Sequence, residues 1–218
     1  KQTWTVQLNG QSLGKLVLNE IDMRIYLPVP AGVLAEGENL LRIEQAGGKP
    51  VVDDIRVGEV KWHPRKLADV LSEATLEVEV VDQSSDERLP SRLTIVDQHG
   101  ALQTILAPQQ PHLAVRPGTV FTANGTARLN LPAADYTIFA GRGFEYSLAS
   151  QKISLPAGDS QRVRLALRRE VPTEGYVACD THVHTLTYSG HGDASIQERM
   201  ITLAAEGIEL PIATDHNV

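Results

Sequence analysis

Cysteine is nearly absent. The chain has one, Cys179, so no disulfide can form within it, and a lone thiol carries no information on redox compartment. Long apolar runs are missing too, and none approaches the roughly 20 residues that a membrane-crossing helix needs. No apolar stretch backs Lys1-Gln2-Thr3-Trp4, so no secretory signal is expected at this start, which leaves export open. Basic charge is short. Lys and Arg number 20 against 27 Asp and Glu, a net −7 that argues against nucleic acid as the main partner. Bases are scarcest from Val171 onward, where seven acids (Glu174, Asp180, Asp193, Glu198, Glu206, Glu209, Asp215) face one base, Arg199. An acidic excess beside clustered histidines suits a cation. A solvated acidic face accounts for the glutamates equally well.

What is present is ordinary for a globular chain: 42% hydrophobic and 22% charged residues over a length of 218, enough for one large or two to three small domains. Residues 1–62 read as β. Thr3 to Leu8 alternates, and Asn9-Gly10 is a strong hairpin signal. Leu16-Val17-Leu18 and Ile25-Tyr26-Leu27 follow as short runs, the second closed by Pro28 and Pro30. Leu40 to Glu44 and Val51 to Val60 complete about five strands. The phrases GENLLRIE and DDIRVGEV resemble the C-terminal portion of a galactose-binding-like jelly roll, which has about eight strands when complete. A partial module is therefore expected. Residues 63–72, opened by His63-Pro64, read as a linker.

Residues 73–170 carry strand signals roughly every ten residues: Thr75–Val81, Arg92–Val96, Ala127–Leu131, Tyr136–Ala140, Gln151–Leu155 and Gln161–Leu167. That spacing predicts an antiparallel, transthyretin-like or Ig-like β-sandwich. Pro108, Pro111 and Pro117 predict a long loop from Ala107 to Thr119 crossing between the sheets. NGTARLNLPAADYTIFAGRGFEY resembles the carboxypeptidase regulatory-like sandwich.

From Gly175 the pattern changes. Tyr176–Asp180 is a short apolar strand. Ser195 and Glu198 form a capping box, and Ile196, Met200, Leu203 and Ala204 mark one helical face. Gly207 falls where the helix should stop, and Ile208–Thr214 is a second apolar run, with Pro211 marking where its strand is expected to start. Strand, helix, strand with a right-handed crossover makes the two strands parallel.

This stretch holds four of the chain's seven histidines. His182 and His184, two apart on a strand, point to one face and can share a metal ion. His216, preceded by Asp215, ends the neighbouring parallel strand and reaches the same rim. His191 lies between Gly190 and Gly192 in a loop able to fold over it. Asp180 is placed to accept the free N–H of a ligating imidazole. Cys179 alternates away and is read as packed. His63, His99 and His112 are read as surface residues. Trp4 and Trp62 could stack on sugar, although such residues in β-sandwiches more often pack in the core.

DTHVHT, SGHGD and IATDHN resemble the start of a PHP (polymerase and histidinol phosphatase) domain. Over Ala178–Asn217 the resemblance is to its carbaryl-hydrolase-like CehA/McbA branch. The resemblance implies a (β/α)7 barrel, of which residues 171–218 would be the N-terminal fragment. It also implies up to three divalent ions (Zn, Mn or Fe). His182 and His184 would ligate the first ion, His191 and His216 the third, and Asp180 and Asp215 would support them. The implied activity of the whole protein is phosphoester, ester or carbamate hydrolysis by metal-activated hydroxide. The fragment itself lacks a complete site. The remainder of the barrel and a small-molecule substrate are the implied partners, with glycan on the β modules a further one. Two alternatives stand. One is an amidohydrolase-superfamily enzyme, which also opens with His-x-His. The other is a non-enzymatic glycan- or partner-binding sandwich with a vestigial barrel. Accessory sandwiches point by association toward a secreted or periplasmic protein.

Overall fold

The computed structural model describes residues 3–17, 19–47 and 55–216. β1 (Thr3–Leu8) and β2 (Gln11–Lys15) form the expected hairpin. Asn9 and Gly10 close it at φ 49° and 82°, the pair of positive values a type I′ turn needs. β3 (Met23–Arg24) departs for the neighbouring sandwich, and β4 (Leu41–Ala46) returns along the free side of β1. Ile25–Leu27 forms no strand, because Pro28 and Pro30 deprive the segment of two ladder donors. Residues 18 and 51–54 of two other expected runs lie outside the described residues, and 55–60 are irregular. The expected partial jelly roll is thus a three-stranded sheet that lends one strand to its neighbour. In it Trp4 is half-buried, while Trp62 of the following segment is exposed. The expected linker contains a short helix, α1 (Leu67–Leu71), which buries Val70 and Leu71.

The sandwich comprises β5 (Ala74–Asp82), β6 (Ser91–Asp97), β7 (Leu102–Gln103), β8 (Leu113–Arg116), β9 (Thr119–Thr122), β10 (Thr126–Leu131), β11 (Ala134–Gly141), β12 (Ala149–Leu155) and β13 (Ser160–Leu167). One sheet runs β10–β5–β13. The other runs β12–β11–β6–β7–β3, with β9 also on β6 and β8 on β9. Alternation decides which residues meet between them. Leu76, Val78 and Val80 of β5 and Leu129 and Leu131 of β10 face Leu93, Ile95 and Ile138 in one core cluster. Tyr136 joins it, its hydroxyl donating to the Pro132 carbonyl at 2.7 Å, so the buried phenol is satisfied and ties the β10–β11 turn.

Two expectations fail here. The sandwich is not wholly antiparallel, since β13 runs parallel to β5 with Val163 opposite Val78. The Pro156–Gly158 crossing brings the start of β13 beside the start of β5, fixed by Gly158 N–H to Glu73 O (2.7 Å) and Thr75 N–H to Asp159 O (3.0 Å). The long loop after Ala107 contains β8 and leads straight into β9. The two form a hairpin around Pro117-Gly118, where Gly118 has φ 68°. Proline followed by a positive-φ glycine is the sequence of a type II turn, a stronger signal than the three prolines that suggested a loop.

β3 is fastened to the sandwich through Arg24, which also pairs with Glu59 (3.1 Å). Arg24 Nε donates to Asp97 Oδ2 at 2.8 Å, while the His99 and Ala101 amides donate to Oδ1. Burial pushes the Asp97 carboxyl up, but the Arg24 bond and the two amides outweigh it, and its pKa is lowered. A carboxyl lower in the folded than in the unfolded chain stabilises the fold above the unfolded value, about 4. That stability drains as pH falls from there through the folded pKa. Asp97→Asn is therefore expected to flatten the acid limb of a plot of urea midpoint against pH. Parallel limbs for parent and variant below about pH 5 would show that Asp97 carries none of it.

The C-terminal segment follows as β14 (Cys179–Val183), α2 (Leu186–Ser189), α3 (Ile196–Ala205) and β15 (Leu210–Ala213). β14 and β15 are parallel, the Ser195–Glu198 capping box is formed, and Gly207 (φ 74°) ends the helix. The buried face of α3 is only partly the expected one: Leu203 is buried as expected, but Ile201 and Ala205 are buried with it, and Met200 is 46% exposed. The helix packs on β6, β8 and β9 of the sandwich, and that partner dictates the face. The acidic excess has a structural use as well. Glu198 pairs with Arg116 (3.1 Å) and Glu206 with Arg92 (2.8 Å), both arginines from the sandwich. The expected strand–helix–strand unit forms, but nothing among the described residues continues it into a (β/α)7 barrel. Among the described residues its strands amount to one parallel pair, beside a helix docked on the sandwich. No helix among them is long and apolar enough to cross a membrane.

Candidate metal centre

β14 delivers His182 and His184 to one side, as the two-residue spacing requires, and their Nε2 atoms lie 2.8 Å apart. β15 ends at Ala213, and the chain turns there so that His216 stacks on His184, ring centroids 4.7 Å apart. His191 arrives from the loop between α2 and α3. Its ring centroid is 5.0 Å from both His184 and His216. Gly190 closes α2 at φ 68° and Gly192 has φ 100°, backbone values that let the loop double back over the strand ends. Ring nitrogens of His184, His191 and His216 all lie within 4.8 Å of one another. His184 is half-buried and the other three are exposed.

The support of this cluster differs from expectation. Asp180 Oδ1 accepts the backbone N–H of His182 at 3.1 Å, a local two-residue turn, so it fixes the strand and not a ring tautomer. Asp215 does reach the cluster, through a hydroxyl. Its Oδ1 accepts from Ser189 Oγ (2.6 Å) and Thr185 N–H (2.7 Å), and its Oδ2 accepts from Thr185 Oγ1 (3.0 Å). These bonds, Ser189 first, hold the Asp215 carboxyl below its usual range. Ser189 has one proton and gives it to Asp215, so its oxygen accepts from His184 Nδ1 (3.1 Å) and from the His216 amide (3.1 Å). A proton on Nδ1 leaves the His184 Nε2 lone pair free, facing His182. Desolvation, then repulsion from His182, His216 and His191, lowers the His184 pKa, so the ring is neutral at pH 7.

Ser189 and Thr185 were not anticipated from sequence. The signal was present in weak form: Thr185 caps α2 by accepting from Tyr188 N–H, and a four-residue helix placed there sets Ser189 beside Asp215. Cys179, expected to pack, is exposed and stands outside the cluster. Of the other histidines, His63 and His99 are exposed as expected. His112 is half-buried, with its Nε2 enclosed and without a hydrogen-bond partner among the described residues.

No family model matches the chain. No curated protein matches it. Solved structures do. The minor pilin GBS52 of Streptococcus agalactiae is 15% identical with a TM-score of 0.35, over 49% of this chain and 48% of the pilin. BcpA, the major pilin subunit of Bacillus cereus, is 14% identical with a TM-score of 0.34, over 78% and 56%. The group B streptococcus pilus 2b backbone protein is also 14% identical at 0.33, over 78% and 79%. The chain thus spans about half the length of the first two. These findings correct the expected resemblance to a PHP domain and to its CehA/McbA branch. No family model, of a hydrolase or of any other kind, matches the chain, and no barrel forms among the described residues. The metal-dependent hydrolase implied by that resemblance is withdrawn with it. The galactose-binding-like and carboxypeptidase regulatory-like assignments have no family match either, and a mainly β, sandwich-built protein remains.

Proposed function

We propose that the chain is a binding protein whose C-terminal segment, after the β-sandwich, carries a site for one divalent transition-metal ion. His184, His191 and His216 hold the ion, with His182 as the fourth imidazole. The observation that carries this reading is the convergence of three ring nitrogens within 4.8 Å, with the Nε2 of His182 2.8 Å from that of His184. A tetrahedral ion with bonds of about 2.0–2.1 Å separates its ligand nitrogens by about 3.3 Å, a small adjustment from this arrangement. An all-imidazole set suits zinc or iron better than manganese, which prefers oxygen. Among the described residues no carboxylate joins the set, and the role proposed for the site is to hold the ion.

Isothermal titration with zinc chloride tests the proposal. One ion per chain is expected, with binding that weakens below about pH 6 as imidazoles protonate. A titration with no heat, or the same heat after all four histidines are replaced by alanine, would remove the basis of the proposal.

A further inference from the structure

Two arginines hold the His191 loop at Asp193: Arg199 of α3 donates to Asp193 Oδ1 at 3.0 Å, and Arg116 of the sandwich reaches its backbone carbonyl. Arg116 ends β8 at the Pro117-Gly118 turn. Its Nη1 donates to the carbonyl of Val115 (2.9 Å), which fixes the guanidinium against its own strand. The same Nη1 donates to Glu198 Oε1 at 3.1 Å, and Nη2 donates to the backbone carbonyl of Asp193 at 2.7 Å. Asp193 lies two residues beyond His191, and Glu198 is the capping-box residue of α3. One planar fork therefore joins β8, the loop and the helix start. The two ends of the loop are held independently: Leu186 N–H donates to Ala194 O (2.8 Å) and Ile196 N–H to Thr187 Oγ1 (3.0 Å). Between those ends, Gly190 and Gly192 leave the backbone free to rotate.

We infer that Arg116 is a positioning residue for the histidine cluster, setting the height of His191 over His184 and His216 through the Asp193 carbonyl. This rests on the metal-binding reading above. It also gives the sandwich a part in that function, since a residue on the far side of a domain boundary in sequence fixes one ligand. Arg116→Lys keeps the charge and loses the fork. It retains the pairing with Glu198 and releases the carbonyl.

The test uses the whole chain and two readouts. Zinc affinity is measured for the parent, Arg116→Ala, Arg116→Lys, His191→Ala and the double variant Arg116→Ala/His191→Ala, with Arg92→Ala as a control at the other end of α3. Amide hydrogen exchange is followed at Gly192 and Asp193 without metal. Arg116→Ala is expected to weaken zinc binding by about 10- to 100-fold, the range for residues that orient metal ligands, with Arg116→Lys in between and Arg92→Ala near the parent. In the His191→Ala background the same change is expected to have no further effect, because the residue it positions is gone. Additive losses in the double variant, or equal losses in Arg92→Ala, would reduce Arg116 to general docking and overturn the inference. The exchange readout does not depend on metal. If the parent binds no zinc, faster exchange at residues 192–193 in Arg116→Ala still supports the grip on the loop, and unchanged exchange defeats it.

Discussion

Replacing His184 by alanine is expected to cost the protein about a hundredfold or more in zinc affinity, above the range for residues that merely orient a ligand. His184 is the one ring that neighbours all the others, with centroids 4.7 Å from His182, 5.0 Å from His191 and 4.7 Å from His216. It is also the one whose tautomer is set, through Ser189 and Asp215. Its loss removes a donor and leaves three exposed rings without a common neighbour. His182→Ala is expected to cost less, since His182 touches the cluster only through His184. Titration calorimetry of the two variants beside the parent decides the order. Equal, small losses would mean that the rings act as separate weak sites.

Gly143→Ala is expected to be a strongly damaging small substitution outside the cluster. Gly143 sits at φ 54°, and a Cβ there would collide with the carbonyl oxygen of Glu206 and lie 3.3 Å from its carbonyl carbon. The obstacle is backbone, so no side chain can swing aside. Either the left-handed conformation or the end of α3 must give. The same junction holds Arg142, whose Nη1 donates to Pro90 O (2.8 Å) and Ala204 O (2.5 Å). A left-handed non-glycine residue costs about 1–3 kcal/mol, and the collision adds to it. The expected result is an unfolding free energy lower by about 2 kcal/mol or more in urea titration, with faster proteolytic cutting between residues 186 and 210. A variant as stable and as protease-resistant as the parent would mean that α3 is not docked at Gly143.

Much of the sandwich was legible because its strands alternate. Leu76, Val78 and Val80 announce one inward face, and the turn at Leu131-Pro132 announces its neighbour's end. The hairpin at Asn9-Gly10 and the Ser195–Glu198 box were legible because each is a local device whose geometry needs particular residues. Three things were not. The parallel pairing of β13 with β5 depends on where a crossing lands, which no single strand encodes. The face that α3 buries depends on which surface receives it: Leu203 was legible from the helical period, while Ile201 and Ala205 were chosen by the sandwich. The acids after Val171 read as a cation's surroundings until Arg116 and Arg92 claimed Glu198 and Glu206. In the cluster, period-two spacing was enough to bring His182 beside His184. The hydroxyl of Ser189, which fixes the tautomer, was hidden because serine at a helix end is common and carries no pattern of its own. The family resemblance drawn from short histidine phrases was the weakest inference, since such phrases name donors without naming the fold around them.

The most direct measurement is X-ray absorption at the zinc edge on the zinc-loaded chain. The account predicts a first shell of nitrogen alone at about 2.0–2.1 Å, with the outer scattering of several imidazole rings. A shell of oxygen without imidazole scattering, or one containing the Cys179 sulfur at about 2.3 Å, would contradict it.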